Sequence, residues 1–226
     1  MNQMLTFFSM LSKILILKSN KQRKLFCGRT DSGKTSILNC LFRLYDYQKG
    51  QIFIDNIDIQ NMSLKELRKK MAILPQFGFL YNATLRDNID PIYQIPDKEI
   101  QRCIQTVQED GQLNSNDCFQ ELDFEVQESG KNLSNGQKQI INFIRVALKQ
   151  TETICLDEST SNMDPKTDEL IHKKLFELSE GKTLLVITHR LENIHKFDRI
   201  VVLESGRIVE EGNYQQLRQQ QGEFFN

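Results

Sequence analysis

The sequence predicts an α/β protein in which a parallel sheet is interrupted by a helical insertion. A glycine-rich loop at 28–35 stands between a short apolar strand and an apolar helix. Two further strands, at 153–156 and 184–187, flank a helix over 167–178, and this β-α-β order implies parallel strands. Between these two halves, the stretch 77–149 changes in texture from strands to helices.

The N-terminal elements are predicted to be short strands and helices. The apolar start up to Leu17 is interrupted by Lys13 and is too short to span a bilayer. A basic run follows it instead of the small-residue cleavage site of a signal peptide, so we expect a strand and a basic turn. After it we predict a strand at 25–27, a helix over 36–44, a strand and turn over 50–59, a helix over 64–70 capped by Ser63 and Glu66, and a strand at 71–74.

Helices dominate the insertion, and strands return after it. Asp97 opens an amphipathic helix, and Asn135 begins another with a broad apolar face. Ser205 and Gly206 join a strand at 200–203 to a second strand, which predicts a hairpin, and the Gln-rich end is short enough to be a helix. We therefore expect one domain over 1–226, with an α/β core and an antiparallel β portion at 1–76 and 150–226, and a helical subdomain at 77–149.

The composition disfavours several classes of protein. Lys plus Arg (29) nearly balance Asp plus Glu (30), so no net field points to nucleic acid as a partner. No stretch approaches the length of a transmembrane helix. The five cysteines are irregularly spaced and lack a CxxC pattern, which indicates reduced thiols in a cytosolic setting.

The glycine-rich loop has the pattern G-x4-G-K-[ST] of a phosphate-binding P-loop. Its glycines let the backbone curl with the N–H groups pointing at phosphates, and the start of the following helix adds partial positive charge. Lys34 would reach the β- and γ-phosphates, and the Thr35 hydroxyl would hold Mg²⁺. A glycine turn without a ligand is the alternative, which the flanking strand and helix disfavour. The predicted nucleotide-binding residues here are Gly28, Arg29, Thr30, Asp31, Ser32, Gly33, Lys34, Thr35 and Ser36.

Two acidic residues follow the apolar strand at 153–156. Many strands end in Asp-Glu as a solvated cap. After a P-loop, however, the pair is typical of a Mg²⁺-binding Asp157 and of a Glu158 that accepts a proton from the attacking water. His189 follows the strand at 184–187 and, taken alone, is more often structural than catalytic.

The pentapeptide at 133–137, Leu-Ser-Asn-Gly-Gln, decides the class of nucleotide-binding protein. By residue type Ser134 is a helix N-cap, which is its structural interpretation. Between a P-loop and a strand ending in Asp-Glu, the pentapeptide resembles the signature motif of ABC ATPases. In that family the motif binds the γ-phosphate of nucleotide held by the opposite domain of a head-to-tail dimer. The other family motifs follow in order, with Gln76 matching the Q-loop, Asp164 the end of the D-loop at 161–164, and His189 the switch histidine.

The resemblance implies an ATPase with the P-loop NTPase fold, a RecA-like core, and ATP and Mg²⁺ as cofactors. Glu158 would act as the catalytic base, and His189 would contact the γ-phosphate. The implied Mg²⁺ site consists of Thr35, Gln76 and Asp157, and the residues that contact nucleotide outside the P-loop are Gln76, Ser134, Gly136, Gln137 and Asp164.

The implied partners are transmembrane domains and a second ATP-binding domain, with this domain on the cytoplasmic face of a membrane. The segment 84–91, Thr-Leu-Arg-Asp-Asn-Ile-Asp-Pro, narrows the resemblance to the multidrug-resistance-associated (C) subfamily, especially its second ATP-binding domain. The function implied by the resemblance is therefore ATP hydrolysis that powers substrate export.

Two features depart from the family pattern. Asp31 stands where family P-loops most often carry glycine, and its charge near a triphosphate would cost about 1–2 kcal/mol, or about tenfold in affinity. The family also stacks adenine on an upstream aromatic residue, whereas Phe7 and Phe8 align better with core positions. We therefore expect the chain to begin after the adenine-stacking loop.

Two alternative functions remain open at this point. A nucleotide-binding regulatory or hydrolytically impaired ABC module would explain Asp31 and the missing aromatic residue, although Glu158 and His189 favour hydrolysis. A soluble ABC protein acting on ribosomes or DNA would usually carry tandem ATPase domains and a basic surface. The nearly neutral charge disfavours this second alternative.

Overall fold

The computed structural model describes residues 15–17, 21–29, 32–45, 51–75, 78–111, 118–157, 165–188, 193–220, 222 and 224. The chain divides into two compact units. The first consists of Met1–Ile73, Thr151–Glu158 and Gly181–Asn226, and the second of Leu74–Gln150 and Ser159–Glu180. The boundaries at 76 and 150 that the sequence indicates stay a prediction about the domain organisation.

A six-stranded sheet consists, in spatial order, of β11 (Arg207–Gly212), β10 (Arg199–Glu204), β2 (Arg23–Gly28), β9 (Thr183–Ile187), β8 (Thr153–Asp157) and β5 (Met71–Leu74). The strand β2 is parallel to both its neighbours, and β8 is parallel to β9, which confirms the predicted parallel sheet. The edge strand β11 is antiparallel to β10, in the predicted hairpin. Ser205 and Gly206 both have positive φ, as a two-residue hairpin turn requires.

A second, three-stranded sheet contains the predicted antiparallel β portion. Its strands are β1 (Leu15–Leu17), β3 (Ile52–Ile54) and β4 (Ile57–Asp58). The pair β3–β4 is antiparallel, whereas β1 pairs with β3 in parallel. The strand predicted for the apolar start is confirmed for 15–17, and the preceding residues, including Phe7 and Phe8, lie outside the described part of the chain.

The helices α1 (Lys34–Leu41), α2 (Leu64–Lys70) and α7 (Tyr214–Gln220) belong to the first unit. The capping box of α2 is confirmed, because the Glu66 N–H donates to Ser63 Oγ and the Ser63 N–H donates to the Glu66 carboxylate. The predicted bounds of α1 were wrong at its C-terminal end, because Arg43 has a φ of 47° and leaves the helix. The side of α1 that faces the sheet packs into a core that includes Phe26, Ile37, Leu41, Cys155, Leu185 and Val201.

The second unit is mainly helical. Its helices are α3 (Leu85–Ile89), α4 (Asp97–Gly111), α5 (Asn135–Leu148) and α6 (Pro165–Leu178), and the predicted starts of α4 and α5 are confirmed. The helix α5 packs against α3, α4 and α6. Two very short strands, β6 (Ala83–Thr84) and β7 (Glu125–Val126), form an antiparallel pair that the sequence did not predict.

Two expectations from composition concern membranes and thiols. None of the helices in the described ranges is both long and apolar enough to cross a membrane. The five cysteines are free thiols, of which four are buried and Cys103 is half-buried.

Candidate nucleotide-binding site

The end of β2 can accept only glycine, because the loop that follows lies against the neighbouring strand. Gly28 has a φ of 151°, and a Cβ there would lie 2.2 Å from the Leu203 carbonyl oxygen and 2.8 Å from Ser32 Oγ. The Gly206 N–H, from the β10–β11 turn, donates to the Ser32 carbonyl oxygen at 3.1 Å. These contacts with β10 and the β10–β11 turn therefore fix Gly28 and Ser32 at the carboxyl ends of the parallel strands.

Lys34 begins α1 and folds back over the loop. Its Nζ donates to the carbonyl oxygens of Gly28 at 2.9 Å and Arg29 at 2.8 Å. The side chain of Ser32 is buried, and its Oγ has no hydrogen-bond partner among the described residues. A buried hydroxyl without a partner is unfavourable unless something else bonds to it. An ammonium group and an unpaired hydroxyl beside a helix N-terminus fit a phosphate group.

The structure also brings together two of the predicted Mg²⁺ ligands. Thr35 Oγ1 donates to Asp157 Oδ1 at 3.4 Å. Asp157 is the last residue of β8, and Thr35 lies in the first turn of α1. The strands β2, β9 and β8 are parallel neighbours, so their carboxyl ends lie at one edge of the sheet. A hydroxyl and a carboxylate are the oxygen ligands that Mg²⁺ prefers, so these residues fit a magnesium nucleotide.

The thiols next to these motifs have raised pKa values and are unreactive at neutral pH. Burial raises the pKa of Cys27, directly before Gly28, to about 11, although nearby Lys34 works in the opposite direction. Burial also raises the pKa of Cys155, in β8. Both thiols therefore stay protonated at neutral pH, which agrees with their predicted role as small core residues.

The signature pentapeptide forms a self-contained helix start. The Gln137 N–H donates to Ser134 Oγ at 3.1 Å, and the Ser134 N–H donates to Gln137 Oε1 at 2.7 Å. Gly136 is buried in the first turn. The structural interpretation of Ser134 as an N-cap is thus confirmed, and it leaves the predicted contact with nucleotide untested. Sequence reasoning missed this second capping box, although Ser-x-x-Gln before an apolar run would have identified it.

The loop before the signature is fastened to the short strand β7. Asn132 Nδ2 donates to the Glu125 carbonyl oxygen at 2.9 Å, and Asn132 Oδ1 accepts from the Gln127 N–H at 3.0 Å. One side-chain amide thus satisfies both a donor and an acceptor of the backbone. Sequence reasoning did not single out Asn132, because its partners lie outside any recognised motif.

Several predicted site residues lie outside the described ranges, so their roles stay predictions. The strand that precedes His189 is β9, which lies between β2 and β8 and continues with a hydrogen bond from the Thr188 N–H to the Phe26 carbonyl oxygen. The residues outside the described ranges are Thr30, Asp31, Gln76, Glu158, Asp164 and His189.

A parallel sheet with a P-loop at its carboxyl edge defines a P-loop nucleotide-binding protein. The family model described as "ABC transporter" matches residues 16–161, and the chain belongs to this family. It is an ATPase domain of the ABC type, and the resemblance derived from the signature motif is confirmed.

Three similar proteins illustrate the relationship. The human ATP-binding cassette sub-family C member 4 is 40% identical over 200 residues, which cover 88% of this chain and 15% of the relative. The heterocyst differentiation ATP-binding protein HepA of Nostoc is 36% identical over 202 residues, covering 88% of this chain and 32% of HepA. The structure of a bacterial Atm1-family ABC exporter with ATP bound matches with a TM-score of 0.80 and 30% identity, covering 91% of this chain and 36% of the exporter. The chain thus spans a third or less of its two sequence relatives.

Proposed function

We propose that this chain binds Mg-ATP and hydrolyses it to power substrate export by an ABC transporter. In this proposal it acts on the cytoplasmic face of a membrane, with transmembrane domains and a second ATP-binding domain as partners. The two ATP-binding domains would pair head to tail. The observation that carries the proposal is the approach of Thr35 Oγ1 to Asp157 Oδ1 directly beside the P-loop.

The loop amides, Lys34, and the pair Thr35 and Asp157 would each have a distinct task at the phosphates. The backbone N–H groups of the loop and the Lys34 ammonium would bind phosphate oxygens. For this, Lys34 exchanges its hydrogen bonds to Gly28 and Arg29 for bonds to the nucleotide. Thr35 and Asp157, with the predicted ligand Gln76, would hold Mg²⁺, which neutralises charge that develops on the phosphates.

The remaining roles follow from the family resemblance. Glu158 would accept a proton from the attacking water, and His189 would contact the γ-phosphate. Ser134 and Gly136 would serve the nucleotide held by the partner domain, where a helix start suits an anion. The Asp164 carboxylate of the D-loop would lie at the same composite site.

The test is Mg²⁺-dependent phosphate release with a partner domain supplied, comparing the wild type with Glu158→Gln. We expect kcat to fall by about a hundredfold or more, because the general base is lost, while ATP affinity stays within about twofold. Glu204→Gln is the matched control, since Glu204 is an exposed glutamate that ends β10, another strand of the same sheet. A wild type that releases phosphate no faster than Glu158→Gln would contradict the proposal and favour the hydrolytically impaired alternative.

A further inference from the structure

The side chain of Arg145, late in helix α5, reaches a segment far away in the sequence. Its Nη1 donates to the Phe79 carbonyl oxygen at 2.8 Å and to Asn142 Oδ1 at 2.9 Å. Its Nη2 donates to Asn88 Oδ1 at 3.4 Å, and its Nε donates to the Asn88 carbonyl oxygen. The acceptors are thus neutral carbonyl and amide oxygens, and burial lowers the pKa of Arg145. Removing one member of such a charge-assisted, partly desolvated network costs several hydrogen bonds and leaves buried polar groups unpaired.

Asn88, one of these acceptors, organises the segment itself. Its side chain is fully buried. Its Oδ1 accepts from the Tyr81 N–H at 2.8 Å, and its Nδ2 donates to the carbonyl oxygens of Tyr81 at 3.1 Å and Thr84 at 3.0 Å. The Asn88 side-chain amide therefore links the backbone of Tyr81 to the start of helix α3. The same amide oxygen also accepts a hydrogen bond from Arg145.

The segment also begins by packing directly on α5. A Cβ on Gly78 would lie 1.6 Å from Asn142 Nδ2, so only glycine allows this approach. Asn142 is itself buried and donates to the Lys138 carbonyl oxygen at 2.9 Å, in the turn of α5 that precedes it. The attachment thus starts at Gly78 and continues through Phe79 to Asn88.

We infer that Arg145, with Asn88 and Asn142, is a positioning residue that holds the segment 78–88 in a fixed position against helix α5. This Arg145 bridge joins the chain that follows Gln76 to the helix whose N-terminus carries Ser134. The inference rests on the proposed function, in which Ser134 must be placed correctly at a nucleotide.

The bridge also explains why the backbone of Phe79 and Tyr81 is fixed although their aromatic side chains are exposed. The rings of Phe79 and Tyr81 are 64% and 51% exposed and contact each other edge to face at 4.9 Å. The Phe79 carbonyl oxygen is held by Arg145, and both backbone polar groups of Tyr81 are held by Asn88. A displacement of this segment is therefore transmitted to α5 through one planar guanidinium, which a lysine cannot imitate.

Hydrogen exchange and ATP turnover of the whole chain test the bridge, using Arg145→Met, Arg145→Lys and the control Arg102→Met. Arg102 is an exposed arginine of α4 in the same unit. In Arg145→Met we expect amides of 79–88 to exchange at least about tenfold faster, because several hydrogen bonds to a charged group are lost. Arg145→Lys, the gentler change should Arg145→Met fail to fold, shifts the same amides in the same direction, and Arg102→Met leaves them unchanged.

In the turnover arm, with a partner domain supplied, we expect kcat of Arg145→Met to fall at least about fivefold while KM for ATP stays within about twofold. Unchanged exchange at 79–88 overturns the inference. An equal acceleration in α4 and α6 also overturns it, because that result assigns Arg145 to general stability. The exchange arm needs no hydrolysis, so a failure of the ATPase proposal is recognised separately by the Glu158→Gln comparison.

Discussion

The P-loop and the signature pentapeptide both lie at a helix N-terminus. They differ in whether side chains of the protein cap the first N–H groups of that helix. The helix α1 has Gly33 as its N-cap, without a side-chain hydrogen bond to its first amides. The helix α5 has a complete capping box made by Ser134 and Gln137. The first turn of any helix presents N–H groups without intrahelical partners. At α1 no side chain of the described residues caps these groups, whereas at α5 the capping box satisfies part of them.

The same contrast holds for the neighbouring side chains. In the P-loop region, Ser32 Oγ is buried without a partner in the part of the chain that the structure describes, and Lys34 donates to carbonyl oxygens of its own loop. Before the signature, Asn132 satisfies an acceptor of the strand β7, the Glu125 carbonyl oxygen, and a donor directly after it, the Gln127 N–H. In this proposal a nucleotide completes the first region, whereas side chains of the protein satisfy part of the second. We therefore propose that nucleotide affinity arises mainly from the P-loop region and that the signature region acts on turnover.

The largest effect is expected from Gly28→Ala. A methyl group there would lie 2.2 Å from a backbone oxygen of Leu203, so the loop must move away from the sheet. We expect ATP affinity, measured with a fluorescent nucleotide, to fall by at least about a hundredfold, which corresponds to about 2.8 kcal/mol. Gly181→Ala is the control, because Gly181 also has positive φ, whereas its Cβ would approach nothing closer than Lys21 Nζ at 3.9 Å. Similar losses of affinity in both variants would show that backbone strain, and not the approach to β10, causes the effect.

A smaller effect of opposite sign is expected from Asp31→Gly. Removing a carboxylate near the triphosphate should raise ATP affinity by about tenfold, and the gain should shrink at high salt. Asp55→Gly is the matched control, because it also replaces an aspartate with glycine but does so in the β3–β4 turn. Equal or weaker binding by Asp31→Gly would remove the charge argument and with it the main reason to consider an impaired module.

The contrast also explains how much of the fold and the site could be predicted. Signals that lie within a few residues worked well, since the capping box at Ser63 and the starts at Asp97 and Asn135 are found as predicted. The P-loop succeeded for the same reason, because its glycines have local backbone requirements. The β-α-β order was sufficient for the parallel sheet.

What the sequence did not predict depends on contacts between distant segments. The helix α1 ends early, and Arg43 beyond it donates to the carbonyl oxygens of Ile59 and Met62, which no local pattern reports. The strands β6 and β7 have two residues each, too few to show a periodicity. The Arg145 bridge likewise joins positions separated by more than fifty residues, with 57 between Arg145 and Asn88 in sequence numbering.

The most direct measurement compares ATP affinity and ATP turnover in Lys34→Ala and Ser134→Ala, with Ser63→Ala as the control. Ser63 caps α2 with a similar capping box, so both serine variants should lose about 1 kcal/mol of stability for the same reason. We expect that Lys34→Ala loses ATP binding, that Ser134→Ala binds ATP within about twofold of the wild type but loses turnover, and that Ser63→Ala retains both. A Ser134→Ala variant that loses ATP affinity as severely as Lys34→Ala, or that keeps full turnover, would contradict the division of affinity and turnover between the two regions.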